Sequence, residues 1–196
     1  MKQDGSNKTA RPFKYVTVLC EGPNDALLMR RMSSFFEDYG YHLRTRSCQG
    51  IDSLLSSSPR LVKRYFTKGP VVLLFDHADL KDGDLKRFKA AEELGPMVLA
   101  VPVVEKIEAW LMADTEALYK STGVNYKGPV PTDRIEDPKR FFLHFCRVAV
   151  RKGKRKFLSR ETDFFRSVTW RWDLSRARGN NVSLDRFCKR FSGICF

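Results

Sequence analysis

The chain has 196 residues, 42% of them hydrophobic and 12% aromatic, so it is long and apolar enough to bury a core and is not of disordered composition. Its 36 lysines and arginines outnumber 23 aspartates and glutamates, for a formal net charge of +13. No apolar run is long enough to span a bilayer, the polar start MKQDGSNKTARPFK lacks the apolar region of a secretory signal, and the cysteines and histidines form no CxxC or HExxH motif. A membrane, secreted or zinc-finger protein is therefore not expected, and a cytoplasmic protein with reduced thiols is.

Residues 1–14 read as a disordered leader, being polar and rich in Gly, Ser, Asn and Lys. Residues 15–20 (YVTVLC) are β-branched and apolar, as in a buried strand. Residues 23–38 carry apolar side chains at near-helical spacing and predict one helix, stopped by Gly40. An alternating strand over 41–48, a helix over 52–66 and the buried strand 70–75 (PVVLLF) follow. A charged amphipathic helix over 80–94, a buried strand over 97–104 and a helix over 106–119 complete the pattern. Four β-then-α units with near-continuous apolar strands predict an α/β fold, a mostly parallel Rossmann-like sheet with helices on both faces. Beyond Ser121 the pattern changes: Gly123, Gly128, Pro129 and Pro131 mark a loop, and 138–149 (PKRFFLHFCRVA) is helical. The expected organisation is a core over 15–120 and a basic, α-rich extension over 121–196 packed on it.

The charge is concentrated. Residues 139–196 contain 16 basic and 4 acidic residues, nearly the whole excess, and are densest at Arg151, Lys152, Lys154, Arg155 and Lys156 around Gly153. Such a block attracts polyanions by releasing their condensed counterions, although a solvated face has the same composition. Arg171, between Trp170 and Trp172, adds a candidate base-stacking contact; buried core aromatics are the commoner explanation of such a pair.

The acids follow the strands. In open α/β sheets ligands bind outside the carboxyl ends of the strands. Glu21 ends the first strand, with Asp25 one helical turn on; Asp76 ends the third, followed by Asp79, Asp82 and Asp84; Glu105 ends the fourth, with Glu108 at i+3 and so expected on the same side. Each has a structural alternative: Asp25 and Glu105 as answers to a helix dipole, Asp82 and Asp84 as surface turn charges, His77 as an exposed loop residue, and Lys106 as a neutralising charge. Together they deliver carboxylates to one edge, where a hard divalent cation relieves their repulsion; Mg2+ or Mn2+ suits such ligands and leaves room for a phosphate.

A strand ending in Glu-Gly, followed by a later strand ending in an Asp-rich motif, resembles the Toprim domain of topoisomerases, primases, OLD-family nucleases and small RNA-maturing nucleases. The stretch 107–114 (IEAWLMAD) is similar to an element of a bacterial Toprim-like family of unknown function, DUF4276, as are Glu136-Asp137-Pro138-Lys139 and 183–191 (SLDRFCKRF). The resemblance spans residues 15–191. It implies that Glu21 acts in proton transfer or through the metal and that Asp76 is the first metal-binding aspartate. The second aspartate of a Toprim DxD would fall at Ala78, so Asp79 is the expected substitute, with Glu105 and Glu108 completing the site. The implied activity is a metal-dependent nuclease, a hydrolase of DNA or RNA with Glu21, Asp76 and Asp79 catalytic. A phage-defence or toxin setting and an ATPase partner are also implied, with homo-oligomerisation left open. The alternatives are a non-catalytic module binding nucleic acid or an ATPase, favoured by Ala78, and a phosphotransfer enzyme, disfavoured by the absence of GxxxxGK[ST] and GxGxxG loops.

Overall fold

The computed structural model describes residues 14–151, 153 and 160–195. Its centre is a four-stranded, wholly parallel sheet in the order β2-β1-β3-β4, formed by β1 (Lys14–Cys20), β2 (Tyr41–Ser47), β3 (Val71–Asp76) and β4 (Val98–Val103). The near-continuous apolar strands β1, β3 and β4 require cover on both faces. Val16, Val18, Val72, Leu74, Leu99 and Val101 point into one core cluster, and Leu19, Val71, Leu73, Val98 and Ala100 into another. The second is closed by α3 (Ile51–Tyr65) and α4 (Asp84–Glu92), where Phe75 and Phe88 stack at 3.8 Å. The first and larger is closed by α1 (Pro23–Arg30), α2 (Ser33–Glu37), α5 (Ile107–Met112) and α6 (Thr115–Thr122). The C-terminal helices α7 (Pro138–Arg151), α8 (Glu161–Arg171), α9 (Leu174–Arg178) and α10 (Val182–Ile194) add to that face.

The expected α/β class with a helix-rich C-terminal extension is thus the observed one. Three expected helices differ in extent. The helix over 23–38 is two helices, interrupted at Arg31–Met32, where the buried Met32 precedes a pair of serines. The helix over 80–94 begins at Asp84, because Gly83 is left-handed (φ 88°) and Lys81 N–H donates to Asp84 Oδ2. Asp84 is consequently buried, with Arg87 beside it, and is not the surface charge expected. The helix over 106–119 breaks at Asp114, which caps α6 by accepting from Ala117 N–H.

Asp114 also fastens the extension. Fully buried, it accepts from Asp173 N–H and from Arg176 Nε and Nη2 at 2.8–3.0 Å. Beside it Trp172 Nε1 donates to Trp110 O, and Trp110 Nε1 to Ser183 Oγ. All five cysteines are free thiols, and no helix among the described residues is long and apolar enough to cross a membrane. Asp114→Ala leaves the Arg176 guanidinium and two backbone donors without their acceptor. It is expected to cost about 3 kcal/mol or more, read as a lowered denaturant midpoint; a loss below about 1 kcal/mol would show that this contact does not hold the extension.

Candidate functional site

A parallel sheet directs every strand's carboxyl end, and the amino end of the following helix, to one edge. There a cleft of 450 Å3 opens, lined by Glu21, Asp25, Asp76, Asp79 and Glu108, with Lys106 and Lys139 among them. Ser47, Gln49 and Gly50, from the end of β2 and the turn into α3, close one wall. Five carboxylates against two ammonium groups make this an acidic cleft in a basic protein.

Backbone hydrogen bonds hold the carboxylates in place. Glu21 Oε1 accepts from Asp76 N–H at 2.7 Å, joining the ends of β1 and β3. Asp76 Oδ1 in turn accepts from Ile107 N–H at 3.0 Å, joining β3 to the start of α5. Asp25 Oδ2 accepts from Gly22 N–H at 2.7 Å, closing the first turn of α1. The Glu21 carbonyl accepts from Gly50 N–H and Ser47 Oγ, tying the β2–α3 turn to the same point. In that turn Gln49 (φ 65°) and Gly50 (φ 109°) lie in the left-handed region, a conformation that glycine adopts without a Cβ clash.

Burial with too little counter-charge sets the protonation. Burial, opposed by the Asp76 N–H bond, raises Glu21 to about 7, with Asp25 and Asp79 adding to the rise. Burial raises Asp25 to about 6 against its backbone hydrogen bonds, and raises Asp76 to about 8 with help from Asp25, Glu21 and Glu108. Glu108 is raised mainly by burial, with Lys139 lowering it and Glu161 of α8 raising it. Burial disfavours the Lys106 charge, but the hydrogen bond to Asp79 at 2.6 Å and the nearby Asp76, at 3.9 Å, raise it overall.

Of the residues singled out in the sequence, Glu21, Asp25, Asp76, Asp79 and Glu108 therefore share one cleft. The 3-10 turn His77–Asp79 after β3 is what brings in Asp79 in spite of Ala78. Glu105 lies apart from it. The intervening Lys106 is the extended N-cap of α5 rather than part of a helical turn, so the i+3 relation to Glu108 is lost. The Glu105 carboxylate instead faces His77 Nδ1 at 4.0 Å. Lys139 and the Ser47–Gly50 wall escaped the reading of the acids; the Gln49-Gly50 pair was the available turn signal.

The basic candidates are elsewhere. Arg151 lines a separate 330 Å3 cavity between α7 and α8, with Arg147, Arg160 and Phe164. Lys152, Lys154, Arg155 and Lys156 lie outside the described residues. Arg171 is exposed at the end of α8 and donates to Ser167 O. Of its flanking tryptophans, Trp172 is core and Trp170 is 74% exposed.

A hard cation matches this donor set in kind, since the five acidic side chains are carboxylates, and the backbone bonds to Glu21 and Asp76 each engage one oxygen. The side chains are not closed round an ion: among the described residues no three His, Cys, Asp or Glu groups are arranged to hold one, and Lys106 sits against Asp79.

No protein-family model matches the sequence, and no curated protein matches it either. Among solved structures the chain is similar to the C-terminal region of the Burkholderia pseudomallei OLD protein. The likeness covers 94% of this chain and 100% of that one, with a TM-score of 0.50 and 11% sequence identity. At that identity it is a likeness of fold.

Raised carboxyl pKa values mean that the folded protein binds more protons than the unfolded chain between the two sets of values. The contribution of these three groups to stability, without divalent cations, is therefore full near pH 4 and is lost as pH rises through about 6 to 8. Asp76→Asn keeps an acceptor for Ile107 N–H and removes the charge. It is expected to flatten that loss and to raise the melting temperature at pH 8 by a few degrees; a lower melting temperature at pH 8 would show that the cleft is not under electrostatic strain.

Proposed function

We propose that the chain is a Toprim-type nuclease that hydrolyses phosphodiester bonds of DNA or RNA with Mg2+ or Mn2+ at the acidic cleft. The observation that carries this reading is the gathering of five carboxyl groups in one cleft. Their crowding at the strand ends opposes ionisation, and a divalent cation would relieve it and let a phosphate approach. The OLD-like fold supports the same reading, in line with the resemblance of the Glu21-Gly22 and Asp76 elements.

Glu21, Asp76 and Asp79 would hold the ion, with Asp25 and Glu108 on either side. When bound, such an ion polarises the phosphate and lowers the pKa of a water molecule. Glu21, which the bound ion would hold ionised, would orient the attacking water. The water oxygen adds to phosphorus as its proton passes to solvent, one P–O ester bond breaks and the leaving oxygen takes a proton from solvent, giving a phosphomonoester and a hydroxyl. Lys106 supplies positive charge where the phosphate oxygens gather, once it leaves Asp79. The ATPase partner and the phage-defence setting rest on the family resemblance alone.

The competing reading is a non-catalytic module that binds nucleic acid or an ATPase. Ala78 and the Lys106–Asp79 ion pair favour it, because that pair neutralises an aspartate the nuclease needs.

Incubation of the protein with labelled single-stranded DNA, double-stranded DNA and tRNA separates the two. Cleavage is expected with Mg2+ or Mn2+ and not with chelator, and Glu21→Gln or Asp76→Asn is expected to lower it on the order of a hundredfold or more. Binding without cleavage in either metal would select the module, and undiminished cleavage by both variants would remove the site from this cleft.

A further inference from the structure

The C-terminal block is not the only basic part of the chain. Between residues 39 and 75 stand Arg44, Arg46, Arg60, Lys63, Arg64 and Lys68, against a single acid, Asp52, which is itself paired with Lys81 at 3.1 Å. The fold gathers part of this stretch on one surface. Among the described residues β2 is an edge strand, bonded to β1 alone, and its alternate residues His42, Arg44 and Arg46 are exposed.

Aromatic rings hold these arginines. The Arg44 guanidinium lies 3.3 Å from the centre of the Tyr15 ring, and Arg64 lies 5.6 Å from that of Tyr65. Arg46 Nη1 donates to the Tyr65 hydroxyl at 3.4 Å. Among the described residues none of the three forms an ion pair with a carboxylate. A guanidinium on a ring keeps its full charge and several outward N–H donors, in a fork that suits phosphate.

The β2 edge leads to the cleft at its carboxyl end. Arg46 immediately precedes Ser47, which lines the cleft with Gln49 and Gly50; the side chains of Arg46 and Ser47 are on opposite faces of β2, so the arginine face meets the cleft at the end of the strand. Arg44 is three residues before Ser47, about 10 Å along an extended strand, or roughly three base-pair steps of nucleic acid. Arginines along an edge strand also discourage pairing with a strand of another protein, which favours a polyanion as the occupant.

We propose that the β2 edge is a track for the phosphate backbone of a nucleic-acid strand, which passes Arg44 and Arg46 on its way to or from the acidic cleft. The track rests on the nuclease reading of that cleft and adds a contact outside the C-terminal block.

The test is equilibrium binding of the full chain to a labelled single-stranded oligonucleotide and to its duplex, in chelator, over a series of salt concentrations. The slope of log K against log salt is expected to become shallower by about 1.4 on the single strand, or about 1.8 on the duplex, in the double variant Arg44→Gln/Arg46→Gln. Arg44→Lys/Arg46→Lys is expected to keep the wild-type slope, because it keeps the charge while losing the ring contact and the planar fork. Firm wild-type binding with an unchanged slope in the glutamine variant would overturn the track and leave the nuclease reading standing, as would glutamine and lysine variants that behave alike. Wild-type protein that binds neither oligonucleotide in chelator would overturn the track, while the metal-dependent cleavage assay continues to decide the nuclease reading.

Discussion

Buried carboxylates short of counter-charge are the constraint on which the rest of this molecule depends. Glu21 receives the N–H of Asp76, and Asp76 receives the N–H of Ile107, so the ends of two strands and the start of a helix are tied through acids. These bonds fix the backbone well, but they leave the carboxylates in a half-closed cleft where burial and mutual repulsion raise their pKa values. Simple structural caps would be cheaper to build at the surface, where water solvates the charge. That electrostatic cost is concentrated at the edge of a parallel sheet where ligands bind, which makes the cleft the candidate site on which the nuclease proposal rests.

Among the described residues, positive charge adjoins that acidic point at the β2 edge, where Arg44 lies on the Tyr15 ring and Arg46 donates to the Tyr65 hydroxyl. The helical extension contributes to the cleft as well as to the core. Lys139 at the start of α7 lines it, and Glu161 at the start of α8 raises Glu108. Asp114, buried under Arg176 and the two tryptophans, fastens α9 to the break between α5 and α6 and so secures that arrangement. The stability of the extension and the electrostatics of the cleft are in this sense one problem.

Much of this was legible in the residues. The apolar runs at Val71–Asp76 and Val98–Val103 specify buried parallel strands, and such strands place their terminal acids at one edge. Glu21 and Asp76 stand there because each directly ends its strand. What pattern reading missed was local backbone chemistry. Asp114 was read as helix interior when it is a cap; Lys106 is extended, which takes Glu105 out of the cleft; and Gly83 delays α4, which buries Asp84. Charge counted by segment also drew attention to the C-terminal block, while the nearly acid-free stretch that forms the β2 edge escaped notice. Its significance depends on β2 being an edge strand, and strand order is a property of the assembled sheet.

The central claim is that the strand-end carboxylates bind a divalent cation. Titration of Mn2+ into the protein at pH 8, followed by the electron paramagnetic resonance of the free ion, tests it without reference to any substrate. The wild-type chain is expected to deplete the free-ion signal, and Asp76→Asn and Glu21→Gln to restore it. A free-ion signal equal to that of buffer for the wild-type protein, or depletion undiminished in both variants, would contradict it.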